Sequence, residues 1–279
     1  MLSLWLTVFR DASRTQADLS EYTILFLGDI VGRPGRKIVS ERLPMLISEH
    51  NPTFVVANGE NCASGVGITQ DIAEDLFKIG IDAITLGNHA FNRREVFEYL
   101  DGDRPIVRPA NLPAAAPGKG VTVVEKNGVR LHVVNLCGRV YMTGYDDPFP
   151  AIDRILEELD SPNVLVDFHA EATSEKMAFG FHVDGRVSAV LGTHTHVTTA
   201  DETVLERGTA FISDVGMCGP VPSVLGMDKD VILRRFLTSM PTRFEVAQQP
   251  GVISGVLIRV EGTTGRAKSI TRIRYPDQR

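Results

Sequence analysis

The residues best suited to chemistry in this chain stand where predicted strands end. Each group follows a short apolar run, and the groups are Gly28-Asp29, Gly59-Glu60-Asn61, Gly87-Asn88-His89, His169 and Gly192-Thr193-His194-Thr195-His196. In open α/β sheets, ligands bind outside the carboxyl ends of the strands. Five such ends would bring carboxylates, amides and imidazoles to one rim, and the sequence therefore predicts a binding or catalytic site there.

The donor types at this rim favour metal chemistry. Asp29 alone is typical of a turn or helix cap, and His89 or His169 alone of a structural histidine, whereas two imidazoles at His194 and His196 suit a metal rim. Oxygen and imidazole donors without a thiolate favour Mn, Fe, Zn, Co or Ni over copper(I) or an iron–sulfur cluster. The number of donors predicts two ions, which in such sites lie ~3.5–4 Å apart. A carboxylate is the natural bridge between them.

The first third of the sequence alternates strand and helix. Apolar runs predict strands, and amphipathic runs predict helices. The strands are expected over 22–30, 53–58 and 82–89, and the helices over 34–50, 69–80 and 92–101. Thr69 is the expected N-cap of the second helix. Such alternation implies a parallel sheet with helices on its faces.

Hairpins join the pattern after residue 120. The Asn127-Gly128 pair predicts a tight turn within a hairpin over 121–136. The remaining elements are expected in chain order: a helix over 148–159, a strand over 163–170, a helix over 171–182, a strand over 187–196, a hairpin over 203–214, a helix over 228–240 and a hairpin over 251–276. We expect one domain over residues 21–279, a flexible extension over 1–20, and a small cap-like insertion around 217–249.

Composition excludes several classes of protein. The net charge of −6 argues against an extended nucleic-acid or anionic-membrane surface. Three widely spaced cysteines, Cys62, Cys137 and Cys218, argue against a disulfide framework and favour a cytoplasmic protein. No apolar run approaches the ~18–20 residues of a membrane span. The apolar start "MLSLWLTVF" has no basic residue before it, unlike a signal peptide.

The motif series resembles the calcineurin-like dinuclear metallophosphoesterases. "GDIVGRPGR", "NGEN", "GNHAFN", "DFHAEATSEK" and "GTHTHV" are more closely similar to the YmdB-type bacterial subfamily, over roughly Ile24 to Tyr275. The resemblance implies an α/β fold of four αββα layers, with two mixed sheets flanked by helices. It also implies a phosphodiesterase that acts on cyclic nucleotides, 2′,3′-cyclic nucleotides among them.

The resemblance further implies two ligand sets. Asp29, Glu60, Asn61 and His196 would bind the first ion, and Glu60, Asn88, His169 and His194 the second, with iron or manganese favoured. Most members of the superfamily have a His two residues after the first Asp, where this chain has Val31, and bridge the ions with Asp rather than Glu. Asn61 is expected to fill the position of the missing His. Its amide oxygen is the weaker donor.

The expected mechanism is attack on phosphorus by a hydroxide that bridges the two ions. His89 is the candidate general acid for the leaving alkoxide, and the alternative is that its side chain only orients Asn88. Four side chains are candidates for contact with the substrate because an Arg can bind phosphate and a Tyr can stack on a base: Arg33, Arg36, Arg139 and Tyr141.

Two other functions stay open from the sequence. One is a phosphomonoesterase or 5′-nucleotidase of the same superfamily. The other is a regulatory protein whose metal site serves signalling or structure and whose turnover is incidental. The expected partner is a small phosphodiester or cyclic nucleotide, and a homo-oligomer is compatible with the sequence.

Overall fold

The computed structural model describes residues 21–276, which fold into fourteen strands and six α-helices. The strands are β1 (Glu21–Leu27), β2 (Asp29–Ile30), β3 (Phe54–Asn58), β4 (Ala83–Thr85), β5 (Ile106–Val107), β6 (Val121–Lys126), β7 (Val129–Cys137), β8 (Val164–His169), β9 (Ala189–Thr193), β10 (Thr203–Val204), β11 (Ala210–Ile212), β12 (Met217–Pro220), β13 (Gly251–Glu261) and β14 (Ala267–Tyr275). The helices are α1 (Gly32–His50), α2 (Gln70–Lys78), α3 (Phe97–Leu100), α4 (Pro148–Glu158), α5 (Thr173–His182) and α6 (Lys229–Thr238).

The strands form two mixed sheets. The first has the order β2-β12-β13-β1-β3-β4-β5, with β14 also paired to β13. In it β1, β3, β4 and β5 run parallel, while β13 is antiparallel to β1. The second has the order β10-β11-β9-β8-β7-β6, in which β7, β8, β9 and β11 are parallel. The outer hairpin strands are antiparallel to their neighbours in both sheets.

Three apolar layers hold these sheets and helices together. Val39 and Leu43 of α1 pack on one face of the first sheet. Phe26 and Leu165 belong to the core between the two sheets. Phe179 of α5 packs on the outer face of the second sheet. The layers follow the order α, β, β, α, so the fold class predicted from the sequence is confirmed.

Local chemistry explains where several elements begin and turn. The Thr69 hydroxyl accepts a hydrogen bond from the Ile72 amide at 3.4 Å, as expected of the N-cap of α2. Asn127 and Gly128 take φ values of 52° and 75°, which a two-residue hairpin turn between β6 and β7 requires. The predicted helix start and the predicted hairpin are therefore confirmed at these positions.

Some predicted boundaries are wrong. The strand expected over 82–89 has ladder pairing only in β4, and the helix expected over 92–101 is a 3-10 turn at Arg94–Val96 followed by the single turn of α3. The strand expected over 187–196 ends at Thr193. The missing ends of the two strands are loops, and these loops carry Asn88, His89, His194 and His196 at the rim.

The first predicted strand is divided at Gly28. The Gly28 amide donates to the carbonyl of Ser254 at 3.0 Å, and the next amide, of Asp29, donates to the carbonyl of Gly216 at 3.1 Å. A Cβ on Gly28 would lie 1.9 Å from the Gly216 oxygen. Only glycine permits this approach, which shifts Asp29 into the short strand β2.

The region around 217–249 begins inside the first sheet, because β12 pairs with β2 and β13. It continues through loops and α6 before the chain enters β13. Its role as a cap stays a prediction, and the extension predicted over 1–20 lies outside the described residues. Within residues 21–276, no helix is long and apolar enough to cross a membrane.

Candidate metal centre

The loops at the carboxyl ends of both sheets bring the predicted metal ligands to one place. The first sheet supplies Asp29 from β2 and the loops after β3 and β4, and the second sheet supplies His169 at the end of β8 and the loop after β9. A Cβ on Gly87 would lie 2.4 Å from both a Glu60 carboxylate oxygen and the His169 ring. The absence of a side chain at Gly87 is therefore what lets the two sheets meet here.

One group of donors surrounds the Nε2 atom of His169. This nitrogen lies 3.0 Å from Oε1 of Glu60 and 2.8 Å from Oδ1 of Asn88. Nδ1 of His194 lies 3.0 Å from it. Ligand atoms of Glu60, His169 and His194 all fall within 4.8 Å of one another. These four side chains are the set expected to bind the second ion.

The other group adjoins it. Nε2 of His196 lies 3.3 Å from Oδ1 of Asn61 and 3.8 Å from Oδ1 of Asp29. The Asn61 amide donates from Nδ2 to the Gly65 carbonyl at 2.9 Å, which leaves its oxygen directed towards His196. Nδ1 of His196 lies 3.0 Å from the Leu225 carbonyl oxygen. Because a carbonyl oxygen can only accept, Nδ1 carries the hydrogen of the neutral ring, and the lone pair on Nε2 can coordinate a metal.

A buried acceptor without a donor shows that these residues fit a cation. Oδ1 of Asp29 is buried and has no hydrogen-bond partner among the described residues. Its other oxygen accepts from the His194 amide at 3.2 Å. An unpaired buried carboxylate oxygen is costly unless a cation meets it. The donors around it are oxygen and imidazole, which divalent first-row metals accept.

Burial and neighbouring charges shift the pKa values of four side chains in the cluster. Burial opposes the charge of Glu60, but the charge and hydrogen bond of His169 lower the pKa of this carboxyl to about 2. Burial lowers and Glu60 raises the pKa of His169, and the net result is about 9. Burial and the adjacent His169 lower the pKa of His194 to about 3. The pKa of Asp29 is raised, chiefly by burial.

Comparison with known proteins assigns the chain to a family. Residues 25–273 match the model of the family described as YmdB-like protein. The chain belongs to this family. It is 49% identical over 256 residues to the 2′,3′-cyclic-nucleotide 2′-phosphodiesterase of Bacillus subtilis (strain 168), across 91% of this chain and 97% of that protein.

Two solved structures of similar length have the same fold. A hypothetical protein from Thermus thermophilus is 43% identical, with a TM-score of 0.86 over 91% of this chain and 98% of that one. A structure described as a novel phosphatase from Mycoplasma pneumoniae is 34% identical, with a TM-score of 0.87 over 92% and 94% of the two chains. The family resemblance predicted from the sequence is therefore confirmed.

The site contains a buried carboxylate that the sequence analysis missed. Asp167 accepts hydrogen bonds from the hydroxyls of Thr193 and Thr85 at 2.6 and 2.5 Å, and from the Asn58 amide at 2.9 Å. Thr193 uses its only hydrogen for Asp167, so it accepts from Nδ1 of His169 at 2.8 Å. The neutral His169 ring therefore carries its hydrogen on Nδ1, and the lone pair on Nε2 is directed towards Asn88 and Glu60. An acid inside the apolar run "VLVDF" was the available clue.

A buried ion pair, also missed, holds the loop of His194. Nζ of Lys176 donates to the Thr193 carbonyl and to Oδ2 of Asp214, each at 2.8 Å. The same Asp214 oxygen accepts from the Thr195 amide at 3.0 Å. His194 takes a φ of 99°, which is strained for a residue with a side chain. The pair therefore binds the backbone on both sides of His194, a predicted metal ligand with a strained backbone.

His89 lies next to these donors with part of its surface in solvent. Its amide donates to Oε2 of Glu60 at 2.9 Å, and Nδ1 of its ring is 3.3 Å from Oδ1 of Asn92. The ring is thus tied through one nitrogen, and its other nitrogen is available for a substrate. The role predicted for His89 stays a prediction.

The four predicted substrate contacts lie at different distances from the cluster. Arg36 is half-buried and lines a groove between α1 and α2. Arg33 is exposed and lines a groove between α1 and residues 248–251. Nη2 of Arg139 donates to Oδ2 of Asp147 at 2.8 Å, and Tyr141 is 89% exposed. All four contacts stay predictions.

Proposed function

We propose that this protein is a metal-dependent phosphodiesterase that hydrolyses 2′,3′-cyclic nucleotides. The enzyme class follows from the family, and the chain is a phosphoesterase. The cyclic nucleotide comes from the relative in Bacillus subtilis, whose name specifies it and which matches nearly the full length of this chain. The observation that carries the proposal is the pair of adjoining donor groups, in which the neighbours Glu60 and Asn61 belong to one group each.

Each donor group would hold one divalent ion. Asp29, Glu60, Asn61 and His196 form one set, and Glu60, Asn88, His169 and His194 the other. Bound there, two divalent ions supply Lewis acidity that lowers the pKa of water and offsets charge on a phosphate. We propose iron or manganese, because every donor is an oxygen or an imidazole nitrogen and the three thiols are buried elsewhere.

The protein's own residues then orient the substrate and move a proton. Water adds to phosphorus, the bond from phosphorus to the ribose 2′ oxygen breaks, and that oxygen takes a proton from the imidazole of His89. Asn92 holds the other ring nitrogen of His89 at 3.3 Å. The guanidinium of Arg36, one of the four predicted contacts, would donate to the nonbridging phosphate oxygens, a role for which Arg geometry is suited.

A cytoplasmic location belongs to the same proposal. It is supported by three buried free thiols, Cys62, Cys137 and Cys218, which suit a reducing compartment. Nucleotides with a 2′,3′-cyclic phosphate would then have to be supplied by reactions that cleave RNA through its 2′ hydroxyl.

The test combines metal analysis with a substrate panel. Anaerobically purified protein should contain close to two ions per chain and should hydrolyse 2′,3′-cyclic AMP and bis-p-nitrophenyl phosphate in preference to 3′,5′-cyclic AMP and p-nitrophenyl phosphate. Glu60→Gln removes the charge between the two sets and should lower both metal content and kcat, the latter by at least about 10²-fold. Glu157→Gln, an exposed carboxylate on α4, is the matched control and should change neither.

The same substrate panel and metal analysis distinguish the proposed function from the two alternatives. A preference for p-nitrophenyl phosphate and nucleoside 5′-monophosphates would overturn the proposal in favour of a phosphomonoesterase. Full metal content without turnover of any phosphoester would favour a regulatory metalloprotein. Only trace metal in the anaerobic preparation would contradict the site itself.

A further inference from the structure

The loop after β3, which carries Asn61, has a strained backbone. We call residues 61–67 the Asn61 loop. Within it Ser64, Gly65 and Gly67 take φ values of 59°, 91° and 78°. A positive φ is unfavourable for a residue with a side chain, such as Ser64. The Gly65 amide donates to the Asn61 carbonyl at 3.1 Å, but the loop has no ladder pairing. Contacts from outside the loop must therefore stabilise it.

The shape of this loop decides how Asn61 faces the site. Nδ2 of Asn61 donates to the Gly65 carbonyl at 2.9 Å, and Oδ1 lies 3.3 Å from Nε2 of His196. An Asn amide has an oxygen acceptor on one side and a nitrogen donor on the other. Only the orientation that Gly65 fixes presents the oxygen to a cation. The direction of the Asn61 oxygen therefore depends on the position of the Gly65 carbonyl.

The side chain of Arg93 holds the loop on both sides of this carbonyl. Its Nη2 donates to the Ala63 carbonyl at 2.7 Å, and its Nε donates to the Val66 carbonyl at 3.1 Å. The side chain is half-buried. It packs so closely on the loop that a Cβ on Gly67 would lie 2.7 Å from Cγ of Arg93. Arg93 thus fixes the short stretch of backbone that contains Gly65.

We propose that Arg93 is a positioning residue for the metal ligand Asn61. By holding the carbonyls of Ala63 and Val66 it fixes the carbonyl of Gly65, and through it the amide oxygen of Asn61. This inference rests on the proposed function, because it takes Asn61 to bind a divalent ion. Arginine is required because its planar guanidinium offers two donors in a fixed geometry, whereas the ammonium of a lysine is a single point charge.

The place of Arg93 in the chain gives it a second connection. It follows the loop after β4, which carries Asn88 and His89, so its side chain ties that loop to the Asn61 loop. Among the residues that the structure describes, both hydrogen bonds of its guanidinium go to backbone carbonyls. The other face of the Asn61 loop is covered, since a Cβ on Gly65 would lie 2.9 Å from Cε of Met227. Loss of Arg93 would leave only this second face held.

The first experiment measures the loop without metal. The full chain, treated with EDTA, is analysed by hydrogen–deuterium exchange as wild type, Arg93→Met and Arg93→Lys. Both variants should exchange the hydrogen-bonded amides of the Asn61 loop about 10-fold faster or more, because two charge-assisted hydrogen bonds are lost or reduced to one. Exchange in α5 should stay the same. Arg94→Met, at the exposed neighbour, is the matched control and should behave as wild type.

Two results of this experiment would overturn the proposal. One is unchanged exchange of the Asn61 loop in both Arg93 variants. The other is wild-type exchange in Arg93→Lys, which would show that one donor suffices and that the fork of the guanidinium does not matter. Neither result depends on whether the protein binds metal.

The second experiment titrates the same proteins with Mn²⁺ and measures the free ion by electron paramagnetic resonance. Both Arg93 variants should bind one of the two ions about 10-fold more weakly or worse, the effect of losing a group that orients a ligand, and should bind the other ion as before. Saturating Mn²⁺ should restore kcat, because Arg93 does not contact the reacting atoms. Arg94→Met should leave both dissociation constants unchanged.

The outcomes of this titration separate the two proposals. Two ions in the wild type, with unchanged dissociation constants in both Arg93 variants, would overturn this inference alone. A kcat that stays low with both ions bound would also overturn it, because Arg93 would then act on the substrate. Only trace binding by the wild type would overturn the proposed function and this inference together.

Discussion

At the scale of single residues, Asn61 explains how this chain departs from the wider superfamily. Val31 stands where most members have a histidine, and it is fully buried, so that a Cβ on Gly226 would lie 2.7 Å from it. This position packs the core and cannot present a ligand. Asn61 instead directs its amide oxygen towards His196, because its nitrogen donates to the Gly65 carbonyl. We therefore expect the Asn61 amide oxygen to take the place of the missing imidazole as a ligand.

The role of His89 gives the first prediction at this scale. His89→Ala should lower kcat on 2′,3′-cyclic AMP by about 10²–10⁴-fold, because the leaving oxygen loses its proton donor. Metal content should stay the same, since the contact between this residue and Glu60 is made by the backbone amide, which the substitution keeps. Plasma emission spectroscopy of the purified variant measures the metal. A variant that loses metal would make His89 a structural residue instead of the acid.

At the scale of elements, the loop that follows β9 depends on a buried ion pair from two other parts of the fold. Lys176 lies on α5 and Asp214 follows β11, and both side chains are fully buried. They bind the carbonyl of Thr193 and the amide of Thr195, which flank His194. The contacts that stabilise the strained backbone of His194 therefore come from elements that are distant in the sequence.

Breaking this pair gives the second prediction. Lys176→Met or Asp214→Asn alone should lower the free energy of unfolding by about 3 kcal/mol, since each leaves a buried group without its partner. Lys176→Met with Asp214→Leu removes both charges and should recover much of this stability. Metal content and kcat should nevertheless stay low in the double variant, because nothing holds the backbone beside His194.

Chemical denaturation and metal analysis test this separation. A double variant that regains stability together with full metal content and turnover would contradict it and reduce the pair to a purely structural role. Glu157→Gln serves again as a control for effects of charge alone.

The elements also show what the sequence could and could not predict. Periodicity located most of the strands and five of the six helices, since buried strands and amphipathic helices carry their pattern locally, whereas the arrangement in two sheets came from the family resemblance. The helix predicted over 92–101 was wrong because Arg93 binds elsewhere. Its guanidinium donates to the carbonyls of Ala63 and Val66 at 2.7 and 3.1 Å, which ties this stretch to the loop after Glu60.

The residues of the candidate site also fall into those that the sequence could predict and those that it could not. The seven predicted donors, among them Glu60 and His169, stand at strand ends, and topology alone brings strand ends together. Asp167, Lys176 and Asp214 were missed because a lone acid in a strand and a lone Lys in a helix have no local pattern. Their partners come from other elements, such as Thr85 and Asn58 for Asp167. Only the folded chain makes these pairings visible.

At the scale of the whole molecule, the donor cluster lies across the junction between the two sheets. Asp29 and Glu60 come from the first sheet, and His169 and His194 from the second. Asp167 makes the same connection in hydrogen bonds, because it belongs to the second sheet and accepts from Asn58 of the first. A bound cation would therefore add a further link between two layers that are already joined by apolar packing and by the hydrogen bonds of Asp167.

Metal removal gives the last prediction. A ligand that binds only the folded state at about 100 times its dissociation constant adds about 2.7 kcal/mol of stability, so chelation should lower Tm by about 5 °C or more. Both donor sets contain Glu60, and in Glu60→Gln the chelator should therefore have little effect on Tm. Scanning calorimetry of both proteins, with and without EDTA and after restoring manganese, measures this. An equal fall in the variant would mean that the stabilising metal binds elsewhere. If Tm falls only in the wild type and manganese restores it, the stabilising metal binds at the junction of the two sheets.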